Sequence, residues 1–171
     1  MIPLRTVSAC LLAAGLAACG GGGDEASSPA AMEKYLGTWT TCQSAAGSVI
    51  SVKVNFTLAK ASDTTASIVQ THDNYEFSNT CGGEPVRTIR SKGTVAFVGG
   101  TQVGADAADK VDIELVVEPA TAPDGKSKWL YAIRPDGKLY GGISKGLPGA
   151  SFDAQGYPNA IDTGAWIFTR K

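Results

Sequence analysis

The fold class of this chain is decided by the stretch Ile50-Ser51-Val52-Lys53-Val54-Asn55-Phe56-Thr57-Leu58. Apolar residues occupy every second position, and polar residues stand between them. Because successive side chains of a β-strand point to opposite faces, this period of two predicts a strand with one buried and one solvated face. The stretch Val111-Asp112-Ile113-Glu114-Leu115-Val116-Val117 alternates in the same way. We therefore expect eight apolar side chains to share one interior: Ile50, Val52, Val54, Phe56, Val111, Ile113, Leu115 and Val117.

Shorter segments of the same kind predict six further strands, at residues 37–42, 65–75, 86–97, 128–133, 138–143 and 165–169. Turn signals lie between them: Gly82-Gly83, Gly99-Gly100, Pro123-Asp124-Gly125-Lys126 and Pro135-Asp136-Gly137-Lys138. Asp-Gly supplies the positive φ that tight hairpin turns require. Eight strands with short links predict an all-β fold, a single eight-stranded antiparallel up-and-down barrel, with a β-sandwich as the alternative. In the barrel the first strand pairs with the last, since closure removes exposed strand edges.

The first residues of the chain have a different character. A positively charged start with Arg5 is followed by an apolar run over residues 7–18. Cys19 comes directly after this run, in the segment Leu16-Ala17-Ala18-Cys19. This order is typical of a secretory signal, and the run is too short to span a membrane. A branched residue, two small residues and a cysteine resemble the lipobox of bacterial lipoproteins. We therefore expect residues 1–18 to be a signal peptide.

The resemblance to bacterial lipoproteins implies a location in the cell. In that family the cysteine, here Cys19, becomes the first residue and carries fatty acyl chains such as palmitate, which together anchor a protein stably in a bilayer. An Asp directly after the cysteine tends to retain such proteins in the inner membrane, whereas this chain has Gly20, which favours the outer membrane. Residues 19–31 are rich in Gly and Ser and predict a flexible tether. Residues 32–171 are then long enough for one domain with its own core.

Two cysteines lie beyond the expected anchor, Cys42 and Cys81. In a chain exported to an oxidising compartment they are expected to form a disulfide bond. The alternatives are a zinc site or a reactive thiol. Zinc requires about four ligands, but the chain has one histidine and no Cys-x-x-Cys motif. A catalytic thiol requires a neighbouring base, and nothing places His72 beside either cysteine.

Composition and motifs argue against several functions. The formal net charge is −1, and no cluster of Lys and Arg with aromatic residues is present, so we expect no nucleic-acid partner. Asp153, Asn159 and Asp162 could supply oxygen ligands to calcium but lack the spacing of a calcium loop. His72 and Asp73 are adjacent in a predicted strand and would point to opposite faces. We expect no metal site, no cofactor and no enzymatic activity.

The predicted first strand contains Gly37-Thr38-Trp39, which resembles the Gly-x-Trp signature of lipocalin-like barrels. The resemblance implies that Trp39 closes one end of the barrel and that a basic residue near the C-terminus, here Arg170, packs over it. The Thr-Asp-Tyr signature of that family is absent, because the corresponding region reads Trp129-Leu130-Tyr131-Ala132-Ile133. The layout is similar to that of small lipocalin-like bacterial lipoproteins.

Three functions from different classes follow from these features. The first is a tethered binding module that holds a small apolar ligand inside the barrel, with an aromatic lining of Trp129, Tyr131, Trp166 and Phe168. The second is an interaction accessory that binds another protein of the cell envelope through residues 146–164 or through an open barrel edge. An enzyme is the least favoured reading. In the first two cases the membrane is a partner through the lipid on Cys19.

Overall fold

The computed structural model describes residues 32–44, 47–120 and 125–171. The expected signal peptide, the expected lipidation site Cys19 and the expected tether lie outside these residues. The described part consists mainly of eight strands: β1 (Gly37–Ser44), β2 (Ser51–Lys60), β3 (Thr65–Tyr75), β4 (Arg87–Val103), β5 (Asp106–Val117), β6 (Lys126–Ile133), β7 (Leu139–Gly141) and β8 (Ile167–Arg170). No helix among the described residues is long and apolar enough to cross a membrane.

The strands form one closed antiparallel barrel in sequence order. Each strand pairs with the next along the chain, and β1 pairs with β8 through Trp39 opposite Arg170 and Thr40 opposite Thr169. The predicted up-and-down barrel and the pairing of its first and last strands are confirmed, and the sandwich is excluded.

The hairpin between β4 and β5 differs from the sequence prediction. Gly99-Gly100 was expected to form a turn but lies inside β4, where the register with β5 shifts between Phe97 and Gly99. The chain reverses later, at Gly104, which has a φ of 60°. Glycine is favoured at bulges as well as at turns, and a glycine pair alone does not distinguish the two. The hairpin is therefore longer than predicted.

The inner face of the barrel carries most of the expected apolar residues. Val54, Phe56 and Val111 are buried, and the register places Ile113, Leu115 and Val117 on the same face, where they are partly buried. Val52 also belongs to this face and packs against the core. Ile50 does not, because it precedes the first paired residue of β2 and is 55% exposed. The alternation in the sequence continues beyond the end of the ladder, and the prediction for Ile50 is wrong.

One end of the barrel, which we call the closed end, is filled by Met32, Tyr35 and Trp39. Residues 32–36 form one helical turn, in which the amide of Tyr35 donates to the carbonyl of Met32. The Tyr35 ring stacks on Phe97 at a centroid distance of 5.5 Å. The indole Nε1 of Trp39 donates to the carbonyl of Tyr35 at 2.7 Å, and the Arg170 guanidinium lies 4.7 Å from the Trp39 ring centroid. The resemblance to lipocalin-like barrels implied this arrangement of Trp39 and Arg170.

The opposite end, which we call the open end, carries the connections β1–β2, β3–β4 and β5–β6. The predicted disulfide is confirmed: Cys42 of β1 is bonded to Cys81 of the β3–β4 connection, with an S–S distance of 2.07 Å. The amide of Cys81 also donates to the hydroxyl of Ser51 at 3.1 Å. The bond therefore holds the β3–β4 connection against the outer side of β1 and β2.

The long connection between β7 and β8 packs on the outside of the barrel. Tyr157 and Ile161 of this connection cover Leu130, Ala132 and Tyr140 in a second apolar core. The register directs these three side chains to the outer face of the barrel, whereas Tyr131 faces inward. This arrangement explains why β6 reads as a nearly continuous apolar run, because both of its faces are covered.

Candidate ligand-binding cup

The barrel interior contains two adjoining cavities between the packed closed end and the open end. The deeper one, which we call the recess, has a volume of about 140 Å³. Its lining comprises Val54, Phe56, Gln70, Ile113, Trp129, Tyr131, Trp166 and Phe168. The wider one, which we call the mouth, has a volume of about 350 Å³. Its lining comprises Gln70, His72, Ile89, Ser91, Ile113, Leu115, Val117, Gly125, Lys126 and Ser127. Gln70 and Ile113 line both, and we call the two cavities together the cup.

The structure brings together all four aromatic residues that the sequence suggested as a lining. The recess is lined by Trp129 and Tyr131 of β6, by Trp166, which directly precedes β8, and by Phe168 of β8. The Trp129 and Trp166 rings meet edge to face with centroids 5.8 Å apart. Trp166 stacks on Phe168 at 6.1 Å. These rings form one wall, and whether they bind a ligand stays a prediction.

Gly141 of β7 makes room for this aromatic wall. A Cβ atom at this position would lie 2.9 Å from Nε1 of Trp129 and 3.0 Å from Cβ of Trp166. Real Cβ atoms are rarely this close to other heavy atoms, so the two indoles can adopt their positions only because residue 141 has no side chain. The sequence gives no direct sign of this constraint, because the need for a glycine inside the predicted strand at residues 138–143 depends on side chains from β6 and from the residues before β8.

The floor of the recess belongs to the packed closed end. Tyr131 is 4% exposed, and its ring stacks on Phe56 at a centroid distance of 6.2 Å. The hydroxyl of Tyr35 has two acceptors in reach, Oδ2 of Asp109 at 2.7 Å and the carbonyl oxygen of Tyr131 at 2.8 Å. Burial, followed by the Asp109 charge, raises the pKa of Tyr35 far above its ordinary value. Beneath this floor, Tyr35 is therefore a neutral phenol, and it donates to a carboxylate that Lys34 also contacts at 2.8 Å.

The polar side of the cup was missed by the sequence analysis. Strand pairing places Gln70 and His72 on the same inner face as Ile68, and it places Ser91 opposite Gln70. The amide nitrogen of Gln70 hydrogen-bonds Nε2 of His72. The available signal was the change along β3 from Ala66 and Ile68 to polar residues at the same core-facing positions, which is unusual for a strand that packs a filled core.

The position of His72 favours its neutral form. Burial lowers its pKa below the ordinary value, and the opposing effect of Asp73 is smaller. With Gln70 as donor to Nε2, the imidazole proton stays on Nδ1. Asp73 points to the outer face, as predicted, and its Oδ1 accepts from the Thr88 hydroxyl at 2.7 Å.

Among the described residues that line the cup, only Lys126 carries a fixed charge. Its ammonium lies 4.0 Å from Oε2 of Glu114, and its side chain is 66% exposed. The register places Glu114 and Lys126 opposite each other on the outer face. The described lining therefore presents aromatic rings, aliphatic side chains and neutral hydrogen-bonding groups to the cavity.

The acidic residues weighed as calcium ligands are engaged in separate contacts. Asp153 lies 3.0 Å from the ammonium of Lys110 and accepts from the amide of Tyr157. Asp162 accepts from the amides of Gly164 and Ala165. Within residues 32–44, 47–120 and 125–171 no group of three or more His, Cys, Asp and Glu residues is placed to hold a metal ion.

A second concave surface, which we call the groove, follows the outer side of the junction between β1 and the β7–β8 connection, with a volume of about 530 Å³. Its lining comprises Cys42, Gln43, Ser44, Ile143, Leu147, Pro148, Ile161, Asp162, Thr163, Gly164 and Ala165. β8 pairs with β1 only at Trp39 and Thr40, so Cys42 and Ser44 extend beyond the last paired residue. The side-chain amide of Gln43 bridges β1 and the β7–β8 connection by donating from Nε2 to the carbonyl of Ala165 at 3.1 Å.

The chain matches no family model, no curated protein and no solved structure.

Proposed function

We propose that this protein is a lipid-anchored binding module of the bacterial cell envelope, and that its barrel holds one small, largely apolar ligand in the cup. The observation that carries this proposal is the unequal filling of the barrel. An eight-stranded barrel is narrow enough for side chains to fill its interior completely. Here aromatic residues fill the closed end, whereas the recess and the mouth stay empty above them.

The size and lining of the cup support this reading. Ligand pockets of about 300–1,000 Å³ with apolar walls and a few polar groups are typical of small-molecule sites. The mouth has about 350 Å³, and the recess adds a smaller aromatic volume below it. The polar groups, Gln70, His72 and Ser91, converge on one side, where they can orient a ligand.

The proposed anchoring is compatible with access to the cup. Met32, the first described residue, packs at the closed end, whereas the mouth lies toward the open end. A tether that precedes Met32 would therefore leave the barrel at the end opposite the mouth. Acylation of Cys19 and an outer-membrane location remain proposals that rest on the lipobox and on Gly20. Fatty-acid labelling of the wild type and of Cys19→Ser tests the acylation, and label retained by the mutant would contradict it.

The ligand proposal is tested with the acylated protein extracted from its own membranes. Small molecules that copurify are identified by mass spectrometry for the wild type and for Ser127→Trp, which places an indole at the mouth. The matched control is Ser67→Trp, an exposed position on the outer face of β3. We expect a bound molecule in the wild type and in Ser67→Trp, and its loss from Ser127→Trp. Equal recovery from all three would contradict binding in the cup.

The groove supports a second candidate function, the docking of an extended peptide from another envelope protein. The amide of Lys171 donates to the carbonyl of Thr38, which shows that alternate residues of β1 direct their backbone groups toward β8. Cys42 and Ser44 follow the same alternation beyond the last pair with β8. A strand edge of this kind can hydrogen-bond an added strand.

The edge candidate is tested by substitutions at the groove. A photo-crosslinking residue at Leu147, which is exposed and lines the groove, should join a single envelope protein in living cells. The same residue at the exposed Val98 is the control. Ser44→Pro removes an edge N–H group and should abolish the product at Leu147. A product that persists in Ser44→Pro would contradict docking through the edge.

A further inference from the structure

We infer that the cup selects an uncharged ligand that consists of one apolar ring, of about the size of benzene, and a hydrogen-bonding head. This inference rests on the proposed binding function and names the chemical class of its ligand. It follows from the volume of the recess, from the polar groups at its upper rim and from the charges of the lining.

The volume of the recess sets the size of the apolar part. An apolar protein cavity of about 150 Å³ holds one benzene molecule. The recess has about 140 Å³ and is enclosed by Trp129, Trp166 and Phe168 on one side and by Val54 and Ile113 on the others. Aromatic pairs favour offset and edge-to-face contacts at centroid distances of about 4.5–7 Å. A planar ring in the recess can make such contacts with the aromatic wall.

The polar groups stand where the recess meets the mouth. Gln70 lines both cavities, and His72 and Ser91 line the mouth beside it. Gln70 uses its amide nitrogen toward His72, while its amide oxygen makes no hydrogen bond within the described part of the chain. The amide oxygen of Gln70 is an acceptor, and the Nδ1–H group of His72 is a donor. The hydroxyl of Ser91 can act as either. A ligand head with both a donor and an acceptor matches this set.

The charges of the lining exclude an ionised head. A charge taken out of water without a partner is strongly disfavoured. Among the described cup residues the one fixed charge is the Lys126 ammonium, which faces Glu114 on the outside. The only cation that a carboxylate could meet among the described cup residues is Lys126, whose ammonium already lies beside Glu114. A cationic head would find no carboxylate among them, since Asp109 is enclosed at the closed end by Tyr35 and Lys34. The neutral head avoids both penalties.

The test uses three probes of the same shape and different charge: benzamide, benzoate and benzamidinium, with toluene as the ring without a head. Binding to the full protein at pH 7.5 is followed by the indole N–H resonances of its three tryptophans, assigned with Trp→Phe variants. Trp129 and Trp166 lie at the recess, whereas Trp39 donates to Tyr35 at the closed end and is the internal control. We expect the Trp129 and Trp166 signals to shift and the Trp39 signal to stay.

We expect benzamide to bind at least about tenfold more tightly than either ion, which is a factor that one uncompensated polar group commonly produces. Toluene should bind more weakly than benzamide. Benzoate or benzamidinium binding as tightly as benzamide would overturn the selection for a neutral head, and equal binding of toluene would overturn the role of the polar groups. Either result leaves the proposed function intact. If no probe shifts Trp129 or Trp166 at millimolar concentration, both the proposed function and this inference fail.

A charge placed in the cup gives a second test. Ser127→Asp at the exposed rim of the mouth should reverse the order in favour of benzamidinium, whereas Ser127→Asn should keep the wild-type order. Lys126→Gln should leave the affinity for benzoate unchanged, because the register places this side chain on the outer face of the barrel, beside Glu114. A loss of benzoate binding in Lys126→Gln, or an unchanged order in Ser127→Asp, would contradict the inferred geometry.

Discussion

The two ends of the barrel solve the same packing problem differently. At the closed end Tyr35 stacks on Phe97 and accepts from the indole of Trp39, and all three side chains are buried in the main core. Toward the open end the inward positions change to Gln70, His72 and Ser91, which are too short and too polar to fill the same width. The comparison indicates that the closed end stabilises the barrel and that the open end keeps space for a ligand.

The largest loss of stability is expected from a substitution at the closed end. Trp39→Ala removes an indole that is 1% exposed, its hydrogen bond to Tyr35 and its contact with Arg170. We expect the free energy of unfolding to fall by about 3–5 kcal/mol. Lys53→Ala, on the outer face of β2, should change it by less than about 0.5 kcal/mol. Chemical denaturation followed by circular dichroism measures both, and similar values for the two variants would contradict the assignment of a filled end.

The disulfide bond tests how far the open end depends on a covalent constraint. Replacement of Cys42 and Cys81 by serine releases a loop with a sequence separation of 39 residues. Loop-closure entropy predicts a loss of about 2–4 kcal/mol in the free energy of unfolding. Hydrogen exchange should increase in the β3–β4 connection and stay unchanged at Tyr35. Uniform acceleration over both ends would show that the bond supports the whole barrel.

A matched substitution at the cup sharpens the comparison. Trp129→Ala removes the same side chain as Trp39→Ala, but from a partly buried position beside an existing cavity. Fewer packing contacts are lost, so we expect a loss of only about 1–2 kcal/mol. The variant should lose the proposed ligand while its far-ultraviolet spectrum stays that of the wild type. A cost equal to that of Trp39→Ala would mean that the cup wall is as essential to the fold as the closed end.

The smallest expected effect is a pH dependence of the free energy of unfolding that is due to His72. Because burial lowers its pKa, the unfolded chain binds the proton more readily than the folded protein does. The folded state is therefore at full stability above about pH 6.5, the ordinary pKa of histidine, and loses stability as the pH falls below it. The slope should stay below about 1.4 kcal/mol per pH unit. Of its neighbours, Gln70 does not titrate and Asp73 opposes the shift.

The His72 prediction is measured by denaturation between pH 5 and pH 8 in the wild type and in His72→Gln. The difference between the two curves isolates the histidine, because the carboxylates titrate in both. A flat difference would indicate that His72 is solvated in the folded protein and does not belong to the wall of the cup.

Local patterns were sufficient for the barrel. The alternation from Val52 to Leu58, the Asp136-Gly137 turn and the two cysteines each depend on neighbours in sequence or on the compartment, and all three predictions are confirmed. Ile50 and Gly99-Gly100 were misassigned because the end of a ladder and the position of a bulge depend on the partner strand. Periodicity alone carries no information about the partner.

By itself, the sequence determined that this protein has an all-β domain of eight antiparallel strands, because strand periodicity and turn chemistry are local properties. It favoured a closed barrel over a sandwich and predicted the disulfide bond, and the structure confirms both. It also placed Trp129, Tyr131, Trp166 and Phe168 among the inward aromatic residues. Only the tertiary structure decided that these rings leave a recess instead of filling it, that Gly141 makes room for two of them, and that Gln70 and His72 face the same space. The empty volume is the interior volume of the barrel minus the total volume of the side chains that all its strands direct inward. That difference is defined only when the strands close.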